Sequence, residues 1–242
     1  MAELPNTLDE AIAQARGATQ AAIAAGYSRL QIELLLPELK PMPAALQYLP
    51  VFSDVGADLK IFFSDAGAAA LAKRDWQEVP CRIASLDVAG SRQTSTVEEL
   101  VQPEDQVFLF VAPTSVEVTP VEQACDAAGE RPAVLFNPRL EDVGTVGIGS
   151  TARRIRERFL NTFEPCYYLR PMERSVLFRC YPAPWQVWLE TDGRYTVIAE
   201  DHLKPDSEKL DQILAQANSP EMPIKRGGFL ADLQRLLKAL GQ

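Results

Sequence analysis

Apolar positions recur along this chain at two periods, and each period marks an element. In residues 8–25, Ile12, Ala15, Thr19, Ala22 and Ile23 fall at helical spacing, which predicts a helix with one docked face. Thr7 followed by Glu10 has the spacing of a capping box, and Gly26 is a natural stop. A strand over residues 29–36 ends at Pro37. A proline-rich passage follows, with a short helix expected over residues 44–52.

Short apolar strands then alternate with helices. Strands are predicted over residues 59–63, 81–86, 106–112 and 133–136. Asp65 opens a small-residue helix through Lys73; further helices are predicted over residues 120–128 and 150–163. This alternation predicts an α/β fold, a three-layer Rossmann-like arrangement of a mostly parallel sheet with helices on both faces. The last third changes style. Residues 167–169, 175–181, 185–190 and 194–199 read as antiparallel strands that extend the sheet, and Asp192-Gly193 is a type I′ hairpin turn. Residues 1–203 are expected to form one domain. Residues 204–242 are expected to be a linker containing a helix, then a C-terminal amphipathic helix bearing Phe229, Leu233 and Leu237.

Charge sharpens this picture. Of 242 residues, 33 are acidic and 24 basic, a formal net charge of −9, which argues against a general nucleic-acid binder. The charge is polarised. Residues 1–130 carry 8 basic and 19 acidic side chains, net −11, whereas residues 131–194 carry 10 arginines and 7 acids, net +3. His202 is the one histidine, and the four cysteines have no Cys-x-x-Cys spacing. Metal sites and His-centred catalysis therefore lack their usual parts, and the thiols read as buried packing residues. No metal and no cofactor is expected. No run approaches the roughly 18 apolar residues of a membrane span, and the N-terminus lacks signal-peptide regions, so a soluble cytoplasmic protein is expected.

The strongest candidate for chemistry is Gly144–Arg154. Gly147 and Gly149 precede a helix opened by Ser150 and Thr151, with Arg153 and Arg154 in its first turns. Glycines let a ligand approach the backbone, and a helix start offers free N–H groups and positive potential. Arginines there oppose the helix dipole, so something negative should sit nearby: a phosphate, a carboxylate or an acidic partner on one reading, the chain's own acids on the other. The glycines fit neither a Walker A loop nor a dinucleotide fingerprint. Asp65 and Gly67 lie at a strand-to-helix turn. Thr114, Ser115, Asn137 and Arg139 follow two other strands. In a parallel sheet these ends share one edge, where ligands of open α/β folds bind; ordinary turn chemistry is the alternative. Trp188 alternates away from Trp185, Val187 and Leu189 and is a candidate docking residue, as are the apolar positions of the last helix.

Several segments together resemble one family. They are Leu4-Pro5 with its Ala-rich helix, Arg29–Glu33, Ala66–Ala72 with Arg74-Asp75-Trp76, Val111-Ala112-Pro113 and Asn137–Asp142. To these add Gly147-Ile148-Gly149 with Arg153 and Arg158-Phe159-Leu160, Tyr167–Pro171, and Tyr181-Pro182 with Trp185–Trp188. This pattern is similar to a domain of unknown function shared by cyanobacterial and plastid proteins, which includes a chloroplast factor for photosystem II accumulation. A related domain is fused behind a plastid adenylate kinase, but this chain lacks the kinase phosphate loop. The resemblance covers residues 4 to about 200. It implies a non-catalytic auxiliary role in photosystem II assembly, with a photosynthetic membrane-protein complex as partner and a cytoplasmic protein peripheral to the thylakoid. A nucleotide- or phosphate-binding protein or enzyme using the Gly147–Arg154 helix start is the alternative.

Overall fold

The computed structural model describes residues 3–87, 96–140 and 150–217. In chain order its elements begin with α1 (Leu8–Ala24), β1 (Arg29–Leu34), α2 (Pro41–Tyr48), β2 (Leu59–Phe63), α3 (Ala66–Asp75), β3 (Arg82–Ser85) and β4 (Val107–Val111). They continue with α4 (Val118–Ala128), β5 (Ala133–Phe136), α5 (Ser150–Arg158), β6 (Glu164–Met172), β7 (Ser175–Cys180), β8 (Trp185–Thr191), β9 (Arg194–Asp201) and α6 (Ser207–Ala217). The chain divides into two compact units. One holds residues 22–32 and the described part of 40–165; the other holds residues 3–21, 33–39 and 166–217.

The first unit is parallel. Its strands run in the order β3-β2-β4-β5-β1. β2, β4 and β5 are buried at every residue, which is why they read as continuous apolar runs rather than alternating ones. Both faces are covered. Phe62, Phe108, Phe110, Ala133 and Leu135 meet Val118, Val121, Ala124, Cys125 and Ala128 of α4, with Ile155 and Phe159 at α5. From the opposite face, Phe136 meets Tyr48 of α2 with ring centroids 5.2 Å apart, and Phe63 meets Trp76 at the end of α3 at 5.4 Å. Within this unit the layering is helix, sheet, helix.

Two arginines close the C-terminal end of α4. Arg29 donates to the carbonyls of Cys125 and Gly129, both at 2.6 Å, and to Arg131 at 3.1 Å. Arg131 donates to Ala127, Ala128, Gln102 and Asp105 at 2.8–2.9 Å, and its guanidinium lies 4.9 Å from the Phe108 ring centroid. The last carbonyls of a helix have no partner within it, and cations there complement its dipole.

The second unit is antiparallel, in the order β6-β7-β8-β9. Asp192 and Gly193 join β8 to β9 with φ of 52° and 76°, the left-handed pair that a type I′ turn needs. Tyr168, Leu177, Trp185 and Val187 pack with Leu210 of α6, and Ile213 and Leu214 lie against them. Tyr167 and Phe178 meet edge to face at 5.7 Å, and the Tyr167 hydroxyl donates to Gln14 of α1 at 3.0 Å. The nine strands make the mixed α/β fold that the alternation predicts, parallel through β5 and antiparallel from β6.

Some bounds differ from the sequence reading. The helix expected over residues 150–163 stops at Arg158, and a 3-10 turn, Leu160–Thr162, follows. Phe159 and Phe163 are both buried, with centroids 5.2 Å apart, and the turn brings both rings into one core. The strand expected over residues 167–169 spans nine residues because β7 pairs it as far as Met172. Among the described residues, no helix is long and apolar enough to cross a membrane. The expected terminal helix with Phe229, Leu233 and Leu237 lies outside the described residues.

Candidate functional site

The C-terminal ends of the adjacent strands β2, β4 and β5 bring together most of the polar positions named from sequence. β2 leads through Ser64 into Asp65, whose extended backbone lets its carboxylate accept the Ala68 N–H at 2.8 Å. Asp65 is thus the N-cap of α3. A Cβ on Gly67 would stand 3.0 Å from Asp65 Oδ1, so glycine there lets the carboxylate lie close to the helix start. β4 leaves through Ala112 with φ 49°, then Pro113. Thr114 accepts from the Val116 N–H, and Glu117 accepts from the Thr114 N–H and hydroxyl, both at 2.7 Å. β5 leaves through Asn137 with φ 54°, then Pro138. The Asn137 N–H donates to Ile32 and the Arg139 N–H to Pro113, each at 2.7 Å, and Thr114 and Arg139 form a parallel bridge.

Two neighbouring strands therefore exit in the same way, through a non-glycine residue in the left-handed region followed by proline. Such residues carry a local cost on the order of 1–3 kcal/mol and persist where the surroundings hold them. Here Ala112 N–H donates to Phe136 O at 2.8 Å, so the two exits lock each other. Asn137 is buried, and Arg139 and Asp65 are exposed.

The glycine-led helix start is only partly described. Gly147 and Gly149 lie outside the described residues, as do the side chains of Ser150 and Thr151. Along α5, Arg153 Nε donates to Glu157 Oε1 at 2.7 Å, one turn on. Arg158 makes a bidentate pair with Glu122 of α4 at 2.8 and 2.7 Å. Arg154 is exposed. The chain's own acids thus neutralise two of these arginines. Glu157 was in reach of a sequence argument through its i, i+4 spacing; Glu122 was not.

Sequence reasoning missed a charged cluster in the same unit. Lys60 is the one charged residue inside the fully buried β2, and it is 8% exposed. Asp105 is fully buried; its carboxylate takes the Gln102 N–H at 2.7 Å and lies 3.0 Å from the Arg82 guanidinium. Asp58 pairs with Arg82 at 3.4 Å and accepts from Gln106 at 2.9 Å. Burial pulls the Lys60 ammonium below its ordinary value, Asp105 opposes that fall, and Arg82 and Lys73 add to it. A lone lysine in a wholly apolar strand was the available signal.

The thiols are poorly suited to nucleophilic work. Burial pushes Cys125 up to about 12 and raises Cys81 and Cys180, and Cys166 is buried beside the Thr19 hydroxyl at 3.7 Å. All four are free cysteines, and His202 is exposed. Among the described residues, no three His, Cys, Asp or Glu side chains group as metal ligands would. In the antiparallel unit Trp188 is half-buried, and its indole N–H donates to the buried Gln186 at 3.2 Å.

A family model described as a domain of unknown function, DUF1995, matches residues 5–212. That span runs from just before α1 into α6 and takes in every strand described above. The chain belongs to the DUF1995 family.

Proposed function

We propose that this chain is a non-catalytic auxiliary factor in biogenesis of the photosynthetic membrane, acting in photosystem II assembly by binding protein partners. It works from the cytoplasm, peripheral to the thylakoid. The family resemblance supplies the process. One observation favours binding over chemistry: polar side chains at the strand ends and along α5 are engaged within the chain. Asp65 caps α3, Thr114 and Glu117 close a capping box, and Arg153 and Arg158 pair with Glu157 and Glu122. The test is affinity purification of the tagged full chain from native photosynthetic membranes, with proteins and small molecules identified together. A photosystem II assembly intermediate should be enriched. Recovery of no membrane-complex component, with a nucleotide in the same eluate, contradicts the proposal.

The twin left-handed exits at Ala112 and Asn137 favour a second reading, a phosphate-bearing small ligand at the strand ends and the start of α5. Nucleotides and inorganic phosphate should then raise the melting temperature, and Arg153→Ala should abolish the rise. An unchanged melting temperature, with partner recovery intact in Arg153→Ala, rejects this reading.

A further inference from the structure

One face of the antiparallel unit carries a row of alternating aromatic and charged side chains. Tyr168 of β6 stands opposite Arg179 of β7. Trp185 of β8 stands opposite Asp201 of β9. The Tyr168 and Trp185 rings lie 5.1 Å apart at 61°, forming a corner, and the Arg179 guanidinium lies 5.5 Å from the Trp185 centroid. Both rings are 2% exposed. The segment between β9 and α6 closes the corner. Its Lys204 ammonium sits 4.0 Å from the Tyr168 centroid, 5.5 Å from the Trp185 centroid and 3.7 Å from the Glu33 carboxylate. Two aromatic faces and one carboxylate around an ammonium are the chemistry by which proteins recognise alkylammonium groups.

The occupant is held loosely from outside. The Lys204 side chain is 45% exposed, its ion pair with Glu33 is long, and the preceding Leu203 is 76% exposed. Glu33, by contrast, is largely buried, with 13% of its side chain exposed. The two rings and the carboxylate are built into strands, whereas the lysine arrives on a connecting segment. Downstream, Asp206 caps α6 by accepting the Lys209 N–H at 2.8 Å, and Lys209 pairs with Asp201. Leu210, Ile213 and Leu214 of α6 cover Tyr168, Leu177, Trp185 and Val187, and Lys204 fastens the segment that leads into that helix.

We infer that the Tyr168–Trp185–Glu33 corner is an ammonium-binding site which Lys204 occupies from within, and that a lysine side chain of a partner protein replaces Lys204 there. The inference rests on the partner-binding reading and specifies its chemistry. Exchange of one ammonium for another conserves charge at the corner, so it adds no buried ion. Its consequence is release of the segment that leads into α6, exposing the apolar cluster beneath to the same partner.

The test uses the full chain and the indole N–H resonance of Trp185. A short peptide with one central lysine is titrated into the wild type, Lys204→Ala and Lys204→Arg. A norleucine peptide and choline serve as comparison ligands. The lysine peptide should bind Lys204→Ala at least tenfold more tightly than wild type, and Lys204→Arg should behave as wild type. The norleucine peptide should leave the resonance unmoved, and Glu33→Gln combined with Lys204→Ala should bind the lysine peptide more weakly than Lys204→Ala alone. Equal binding to wild type and Lys204→Ala overturns the inference, as does equal binding of the norleucine peptide. Choline binding without lysine-peptide binding overturns the assignment to a protein partner. If Lys204→Ala does not fold, tetramethylammonium chloride titrated into the wild type against sodium chloride decides: a shift confined to the Trp185 and Tyr168 signals supports the site, and no difference between the salts overturns it. These peptide measurements can fail while membrane purification still recovers a partner, so the two readings fall separately.

Discussion

The two units use their cations differently. In the parallel unit, Arg29 and Arg131 direct their guanidinium groups to backbone carbonyls at the end of α4, and Arg82 reaches a carboxylate with no exposure to water. In the antiparallel unit, the buried Arg179 and the exposed Lys204 lie against aromatic rings of one packed row. A guanidinium bridging several carbonyls joins separate segments of the chain at one point, so its removal takes several hydrogen bonds at once. A cation over a ring leaves an apolar surface that another cation can use. The first arrangement holds structure in place, and the second lends itself to exchange.

The largest break in this contrast should come from Arg131→Ala. It removes four carbonyl contacts and the stacking on Phe108. The expected loss is about 3 kcal/mol, read as a lower urea midpoint at unchanged m-value, because four hydrogen bonds and the ring contact are lost together. A loss under about 1 kcal/mol would mean that water replaces the guanidinium. Asp105→Asn should rank next, at about 2–3 kcal/mol. It keeps the shape but removes the buried negative charge that pairs with Arg82 and offsets Lys60, leaving Asp58 as the carboxylate on Arg82.

Lys60 adds a pH dependence of defined sign. Its folded value is lowered relative to the unfolded chain. The unfolded state therefore binds more protons in the window between the lowered folded value and the ordinary value of 10.5, and stability should rise with pH across that window. Below the window the cost of the buried ammonium is fully present. Lys60→Met should flatten the alkaline rise in melting temperature; a rise of unchanged slope would assign it to another group. The smallest effect belongs to the pair of the exposed Arg158 with the half-buried Glu122. Glu122→Gln should lower the melting temperature slightly at low salt and not at all at high salt. A shift that survives high salt would make the pair a packing feature.

What the sequence disclosed was local. Asp65 announces α3 because an N-cap acts within three residues, and Asp192-Gly193 announces the last hairpin because two left-handed residues suffice. Leu59–Phe63 and Ala133–Phe136 fall where their apolar runs place them, since a strand buried on both faces has no other pattern. What stayed hidden was set by tertiary distance. Arg29 meets carbonyls about a hundred positions away, and nothing in its neighbours marks that role. Arg158 finds Glu122 across 36 positions, so an Arg-rich helix that reads as a phosphate site is partly neutralised by its neighbour α4. Lys204 was legible only as a linker residue, because Tyr168, Trp185 and Glu33 come to it from three strands. The polar ends of β2, β4 and β5 share an edge because the strand order places them there, whereas periodicity alone cannot state an order.

The most direct measurement of the central claim is pulse-labelling of newly made photosystem II proteins in a photosynthetic host, with and without this chain, followed by separation of the membrane complexes. If the chain is an assembly factor, its loss should leave synthesis of the subunits unchanged while early intermediates accumulate and complete complexes form more slowly. Label passing into complete complexes at the same rate in both strains would contradict the account.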